Sequence, residues 1–285
     1  MKSDSRVVRV HYPLKDGRII LRTDADWDRD IEPARETGSD EMWEFVIRSR
    51  QPFFYFKPMF VRENTKVWSR GENYLATSFG TKVRDVFPYF LKEDRCCVCD
   101  LQVIESTSSG QRIAYRVFLP PGYYENAQRR YPVLYMQDGQ NLFFREEAYG
   151  GEHWGIPETL AVLDSMCAIE QVIVVGIYPN RREHDYTRAG YGPYGEFIVE
   201  RLKPRIDSAY RTLPEPQQTA IMGSSLGGVF SLHMAWEYPG VFGLAGRDLL
   251  YFAFPHALHN ERAWSMRSQI PFQFFFEHQI AANAC

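Results

Sequence analysis

Thr219-Ala220-Ile221-Met222-Gly223-Ser224-Ser225-Leu226-Gly227-Gly228, continued by Val229-Phe230-Ser231-Leu232-His233-Met234-Ala235-Trp236, decides how this chain is read. A short apolar run stops at Gly-x-Ser-x-Gly, and a helix-like apolar pattern begins at once. That order predicts a strand, a sharp turn and a helix, with Ser225 at the apex. On such a turn the serine backbone is strained and Oγ stands clear of the sheet. Gly223 and Gly227 flank it because a side chain at either would meet the neighbouring strand or helix. The turn also aims the first helical N–H groups, starting with that of Leu226, at the place where an oxyanion would form.

The chain has 285 residues, enough for one large domain or two ordinary ones. It is 45% hydrophobic and 24% charged, the balance of a globular protein with a sizeable core. Its 33 basic and 36 acidic residues leave a net charge of −3, which points to neither nucleic acid nor an anionic membrane. No apolar run reaches the roughly 18–20 residues of a membrane span. The polar start Met1-Lys2-Ser3-Asp4-Ser5-Arg6 shows no signal core, so a cytoplasmic location is expected. The five cysteines are Cys96, Cys97, Cys99, Cys167 and Cys285, an odd count that argues against a disulfide framework. Cys96-Cys97-Val98-Cys99 lacks a second Cys/His pair at zinc spacing and sits in a strand-like run, so it reads as buried thiols. No metal or other cofactor is called for.

Residues 1–92 read as a small all-β sandwich. Strand-like runs at 7–12, 18–22, 42–47 and 53–61 are rich in β-branched and aromatic residues and are split by Gly, Pro and Asp turns. Trp27, Trp43, Trp68 and Tyr74 could offer stacking surfaces there, although aromatics in a small sandwich are more often core. The charged bridge Leu91-Lys92-Glu93-Asp94-Arg95 marks the expected boundary. From 93 to 285 the pattern is α/β. Apolar strands at 98–104, 112–119, 132–136, 172–177 and 219–222 alternate with helix-like stretches at 156–166 and 195–210. Alternation of that kind implies a mostly parallel sheet covered on both faces.

Two stretches carry a family likeness. Tyr131-Pro132-Val133-Leu134-Tyr135-Met136-Gln137-Asp138-Gly139-Gln140-Asn141-Leu142-Phe143 and the turn at 223–228 resemble the enterochelin esterase and esterase D-like family of α/β-hydrolases. Lys203-Pro204-Arg205-Ile206-Asp207 with Tyr210-Arg211-Thr212 fits the same family. So does Ala257-Leu258-His259-Asn260-Glu261-Arg262-Ala263-Trp264-Ser265-Met266-Arg267, which is similar to its catalytic-histidine segment. The N-terminal sandwich resembles, more loosely, the Ig-like or starch-binding-like domain that precedes such enzymes. The resemblance implies Ser225 as nucleophile and His259 as general base, with His256 the rival. It implies an oxyanion hole from the backbone N–H groups of Leu226 and Gln140, with Asp138 shaping that loop. Tyr186, Arg188 and Tyr191 could line a substrate pocket or form a polar surface loop. The expected partner is a small-molecule ester.

The triad acid is the departure. In this fold it lies between the serine and the histidine. Here only 34 residues separate Ser225 from His259, and the helix to Tyr238-Pro239-Gly240 and a strand at 249–254 occupy most of them. The domain therefore reads as internally shortened near 246–248, by roughly 60–80 residues at typical element lengths. Asp248 is a weak candidate acid, and Glu261 and Glu237 are the other nearby carboxylates. Two readings stay open: a serine esterase working through an acyl-enzyme, or an impaired relative that binds a glycan or other ligand.

Overall fold

The computed structural model describes residues 4–37, 41–63, 65–77, 82–91, 96–105, 111–166, 168–246 and 257–276. The charged bridge at 92–95, the expected strand at 249–254 and the shortened stretch at 247–248 lie outside them.

Among the described residues, nine strands precede that bridge: β1 (Asp4–His11), β2 (Arg18–Thr23), β3 (Asp26–Ile31), β4 (Arg35–Thr37), β5 (Met42–Ser49), β6 (Phe53–Arg62), β7 (Thr65–Trp68), β8 (Tyr74–Thr77) and β9 (Val83–Val86). They form two sheets, one ordered β4-β5-β1-β9 and one ordered β3-β2-β6-β7 with β8 also on β6. The alternation of β1 sends Val8 and Val10 inward, and that of β6 sends Phe54 and Phe56 to meet them. Both sheets feed one core with Ile19, Leu21, Phe45 and Val86, so this region is a sandwich. Trp43 belongs to that core, whereas Trp68 is 38% exposed with Trp27 edge-on against it.

A six-stranded sheet follows: β10 (Cys97–Val98), β11 (Gln102–Glu105), β12 (Arg112–Leu119), β13 (Val133–Gln137), β14 (Ile173–Tyr178) and β15 (Thr219–Met222). Its order is β10-β12-β14-β13-β15, with β11 also on β12. Only β14, β13 and β15 run parallel; β12 is antiparallel to β10, β11 and β14. The expectation of a mostly parallel sheet is thus corrected to a mixed one, because a hairpin-like start precedes the βα units. The expected strand at 98–104 is broken into β10 and β11. Cys96, Cys97 and Cys99 are half-buried free thiols rather than fully buried ones.

The runs of β13 and β14 are apolar throughout because both faces are covered. Val133, Tyr135, Ile173, Val175 and Ile177 point to one face, where Phe197, Ile198, Phe230 and Met234 pack. Leu134, Met136 and Val174 point to the other, against Trp154, Leu160, Phe272 and Phe276. The helices are α1 (Ile156–Ser165), α2 (Arg182–Asp185), α3 (Tyr191–Phe197), α4 (Lys203–Ala209), α5 (Leu226–Glu237), α6 (Gly243–Gly246), α7 (Glu261–Ser265) and α8 (Gln269–Phe276). A wider turn at Ile198–Leu202 joins α3 to α4. β15 has β13 as its strand partner among the described residues. The outer side of α5 exposes Val229, Leu232 and Trp236 at 63%, 64% and 81%.

Candidate active site

Parallel pairing puts the two decisive loops side by side. Met136 of β13 lies opposite Met222 of β15, so both chains leave the sheet at the same edge. After β15 the backbone turns through Ser225 at φ 53 and ψ −124, a region costly to a residue with a Cβ, of order 1–3 kcal/mol. Leu226 then opens α5. Gly223 is required by close approach: a Cβ there would stand 2.5 Å from the Gly227 carbonyl. At Gly227 a Cβ would come within 3.1 Å of Asp138 Oδ2 and Gln137 Cβ. Strand, elbow and helix are therefore where the sequence puts them.

After β13, Asp138 takes the left-handed conformation at φ 59 and ψ 47 and starts a 3₁₀ turn, Gly139–Asn141. A Cβ on Gly139 would lie 2.6 Å from the Gly176 backbone and the Tyr178 ring, so only glycine lets this loop rest on β14. Gln140 is the middle residue of the turn. As first-turn residues of a 3₁₀ turn and of α5, Gln140 and Leu226 present N–H groups with no acceptor inside their own helix.

An ion pair between a buried carboxylate and a half-exposed guanidinium holds the Asp138 bend. The Asp138 side chain is 2% exposed and accepts from Arg182 Nε at 2.8 Å and Nη2 at 2.9 Å. The Tyr186 hydroxyl accepts the Asp138 N–H at 3.0 Å, and the Arg182 guanidinium lies over the Tyr186 ring. The hydrogen bonds to Asp138 hold the Arg182 pKa above its ordinary value. Tyr186 is itself 2% exposed and stacks on Phe230 of α5. Both alternatives for it, pocket wall and polar surface loop, are corrected: it is core, bracing the loop from beneath. Tyr191 is edge-on against His233.

His259 precedes α7, and its Nε2 stands 3.0 Å from Ser225 Oγ. Asn260 caps α7, its Oδ1 accepting from the Ala263 N–H at 3.0 Å, so the cap is Asn260 and Glu261 lies in the first turn. The imidazole edge meets the Trp264 ring at 5.0 Å, and Trp264 meets Trp154 at 5.8 Å. Trp154 is 1% exposed, and its backbone N–H donates to the Asn141 carbonyl at 2.7 Å. Trp154 thus links the histidine segment, through its ring, to the oxyanion loop, through its backbone. Sequence reasoning missed the roles of Arg182, Trp154 and Trp264: Arg182 is 44 residues from Asp138 and Trp154 is far from the histidine segment, while Trp264, five residues after His259, carries no local mark of a ring contact.

The acid candidates fare differently. Asp248 lies outside the described residues, as does His256. Glu237 ends the twelve-residue α5 that Ser225 caps. That puts it about 17 Å along the axis from Ser225 and rules it out as His259's partner. Glu261 adds to the field on Arg182 rather than pairing with the imidazole. Among the described residues no carboxylate oxygen lies within 4.0 Å of a His259 nitrogen. A hydroxyl hydrogen-bonded to an imidazole can pass its proton on attack. No cluster of three His, Cys, Asp or Glu among the described residues could hold a metal.

A family model described as "Putative esterase" matches residues 106–247, about half of the chain. The uncharacterized protein YbbA of Bacillus subtilis is 27% identical over 146 residues, covering 46% of this chain and 54% of its own. An endo-1,4-beta-xylanase/feruloyl esterase of Xylanibacter ruminicola is 28% identical over 158 residues, covering 50% of this chain and 20% of its own. The chain spans about half or less of the length of these relatives. A solved ferulic acid esterase superposes with a TM-score of 0.41 at 19% identity, over 52% of this chain and 58% of its own. On the family match, this chain belongs to the Putative esterase family through residues 106–247.

Proposed function

We propose that this chain is a serine hydrolase of carboxylic esters that works through an acyl-enzyme on Ser225. The observation that carries the reading is the 3.0 Å contact between His259 Nε2 and the hydroxyl of a serine held at positive φ on the elbow. Ser225 Oγ attacks the ester carbonyl carbon as its proton passes to Nε2. The carbonyl oxygen becomes an oxyanion facing the N–H groups of Leu226 and Gln140. Collapse expels the alcohol, which leaves with the proton from Nε2, and a water then repeats the sequence to release the acid. Turnover of p-nitrophenyl acetate by the wild type and by Ser225→Ala tests the proposal. Loss of turnover in the variant is expected, and equal rates would overturn it.

A second reading, an impaired relative that binds a ligand without turning it over, is favoured by one observation. His259 has no carboxylate partner among the described residues. Fluorophosphonate labelling separates the two, since an activated Ser225 is labelled and an inert one is not.

A further inference from the structure

At the junction between the sandwich and the hydrolase sheet lies a cavity of about 60 Å³, lined from Arg70 to Tyr89 on one side and from Arg129 to Gln171 on the other. It is remote from the proposed nucleophile. Gln171 precedes β14 at one edge of the sheet, while the elbow leaves the other edge, a strand length of about 17 Å away.

The lining defines its ligand. Arg70, Arg84 and Arg129 are balanced by Asp85, Asp164 and Glu170, so the cavity attracts neither anions nor cations as such. The charges also occupy one another: Glu170 lies 3.4 Å from Arg129 and 3.9 Å from Arg84. Two buried polar atoms are left without a partner, Arg84 Nε and Gln171 Oε1. Gln171 is 4% exposed, and its amide nitrogen donates to Asp164 at 2.9 Å. That bond fixes the amide orientation, since a carboxylate takes the NH₂ and leaves the oxygen free. A buried donor and a buried acceptor left unmade cost stability, so such pairs are normally filled by a ligand or by water. Tyr74 and Tyr89 add ring surface beside them.

We propose that this cavity binds the hydroxyl edge of a neutral polyol, one end of a sugar unit, as a site separate from Ser225. Adjacent hydroxyls offer an acceptor to Arg84 Nε–H and a donor to Gln171 Oε1 without adding charge. The volume takes roughly four to six water-sized groups, which suits one edge of a ring and not a whole oligosaccharide. A ligand there touches both halves of the chain, so it ties the sandwich to the hydrolase sheet. The inference stands whether or not Ser225 turns over substrate.

The test is saturation-transfer NMR on the full chain with methyl β-D-glucopyranoside, and with glycine and inorganic phosphate as charged probes. Arg84→Lys keeps the charge and removes the Nε donor; Gln171→Met removes the acceptor, with circular dichroism checking that each variant folds. Glucoside binding is expected in the wild type and unchanged in Ser225→Ala, and about tenfold weaker in each cavity variant. Binding that disappears in Ser225→Ala while surviving Arg84→Lys would move the sugar to the elbow and overturn the proposal. So would no glucoside binding at all, or a preference for glycine or phosphate.

Discussion

The two halves of the candidate site are held in different ways. The serine half is built into the sheet: Asp138, Gly139 and the elbow follow adjacent parallel strands, and Arg182 and Tyr186 lock the bend from beneath. The histidine half hangs on a five-residue helix. Its supports are a cap from Asn260 and the edge of Trp264. Strain at Ser225 survives because its surroundings are over-determined. The imidazole has a partner at Nε2 but no carboxylate at Nδ1 among the described residues. The nucleophile is thus pre-organised by the fold, while its base depends on a short local structure.

Removing the nucleophile gives the largest effect. Ser225→Ala is expected to lower turnover of p-nitrophenyl acetate about 100-fold. A complete serine triad loses about 10⁶-fold, of which the acid accounts for roughly 10⁴. His259→Ala should match it, and the double variant should be no worse, because the two groups act as one unit. A ratio near 10⁶ would show that a carboxylate serves His259 after all. Next comes the lock on the serine half. Arg182→Ala leaves the buried Asp138 carboxylate without its cation, with only the Tyr186 hydroxyl near it among the described side chains, and is expected to cost about 3 kcal/mol in denaturant unfolding. Because the oxyanion donors act on the transition state, kcat should fall about tenfold with KM unchanged, and Arg182→Lys should recover part of it. A rise in KM at constant kcat would place Arg182 in substrate binding instead.

This asymmetry also governs how much was legible in the sequence. The elbow could be read because strand, Gly-x-Ser-x-Gly and helix are contiguous, and steric need at Gly223 fixes the turn. His259 and the 138–140 loop were legible through family likeness, as spacing alone does not tell a base from a packing histidine. The lock was not legible: Arg182 is 44 residues from Asp138, and nothing local marks it as the partner of a buried carboxylate. Tyr186 looked like a loop residue because its neighbours are polar, yet stacking on Phe230 makes it core. The sheet was read as mostly parallel because apolar runs report burial of both faces, not direction. β12 is fully buried only from Val117 to Leu119, where it reads like β13, yet it runs antiparallel to β14.

Smaller perturbations act on the histidine half. Trp264→Ala removes the edge contacts to His259 and Trp154, and is expected to cost about 1–2 kcal/mol and to lower kcat about fivefold. The fluorophosphonate labelling rate at Ser225 should fall in proportion, since that reaction needs the same proton transfer. The smallest change is at the cap. Asn260→Ala deletes the acceptor of the Ala263 N–H, worth about 1 kcal/mol locally. α7 has five residues, too few to persist without that cap or a tertiary anchor. Its loosening should therefore appear as faster amide exchange at 261–265 and about a twofold loss of kcat, with thermal stability of the sheet unmoved. Asn260→Asp restores the acceptor and should restore both. If Asn260→Ala instead slowed turnover as much as Arg182→Ala, the histidine half would be as tightly coupled to the sheet as the serine half, and Trp154 would be the residue through which that coupling runs.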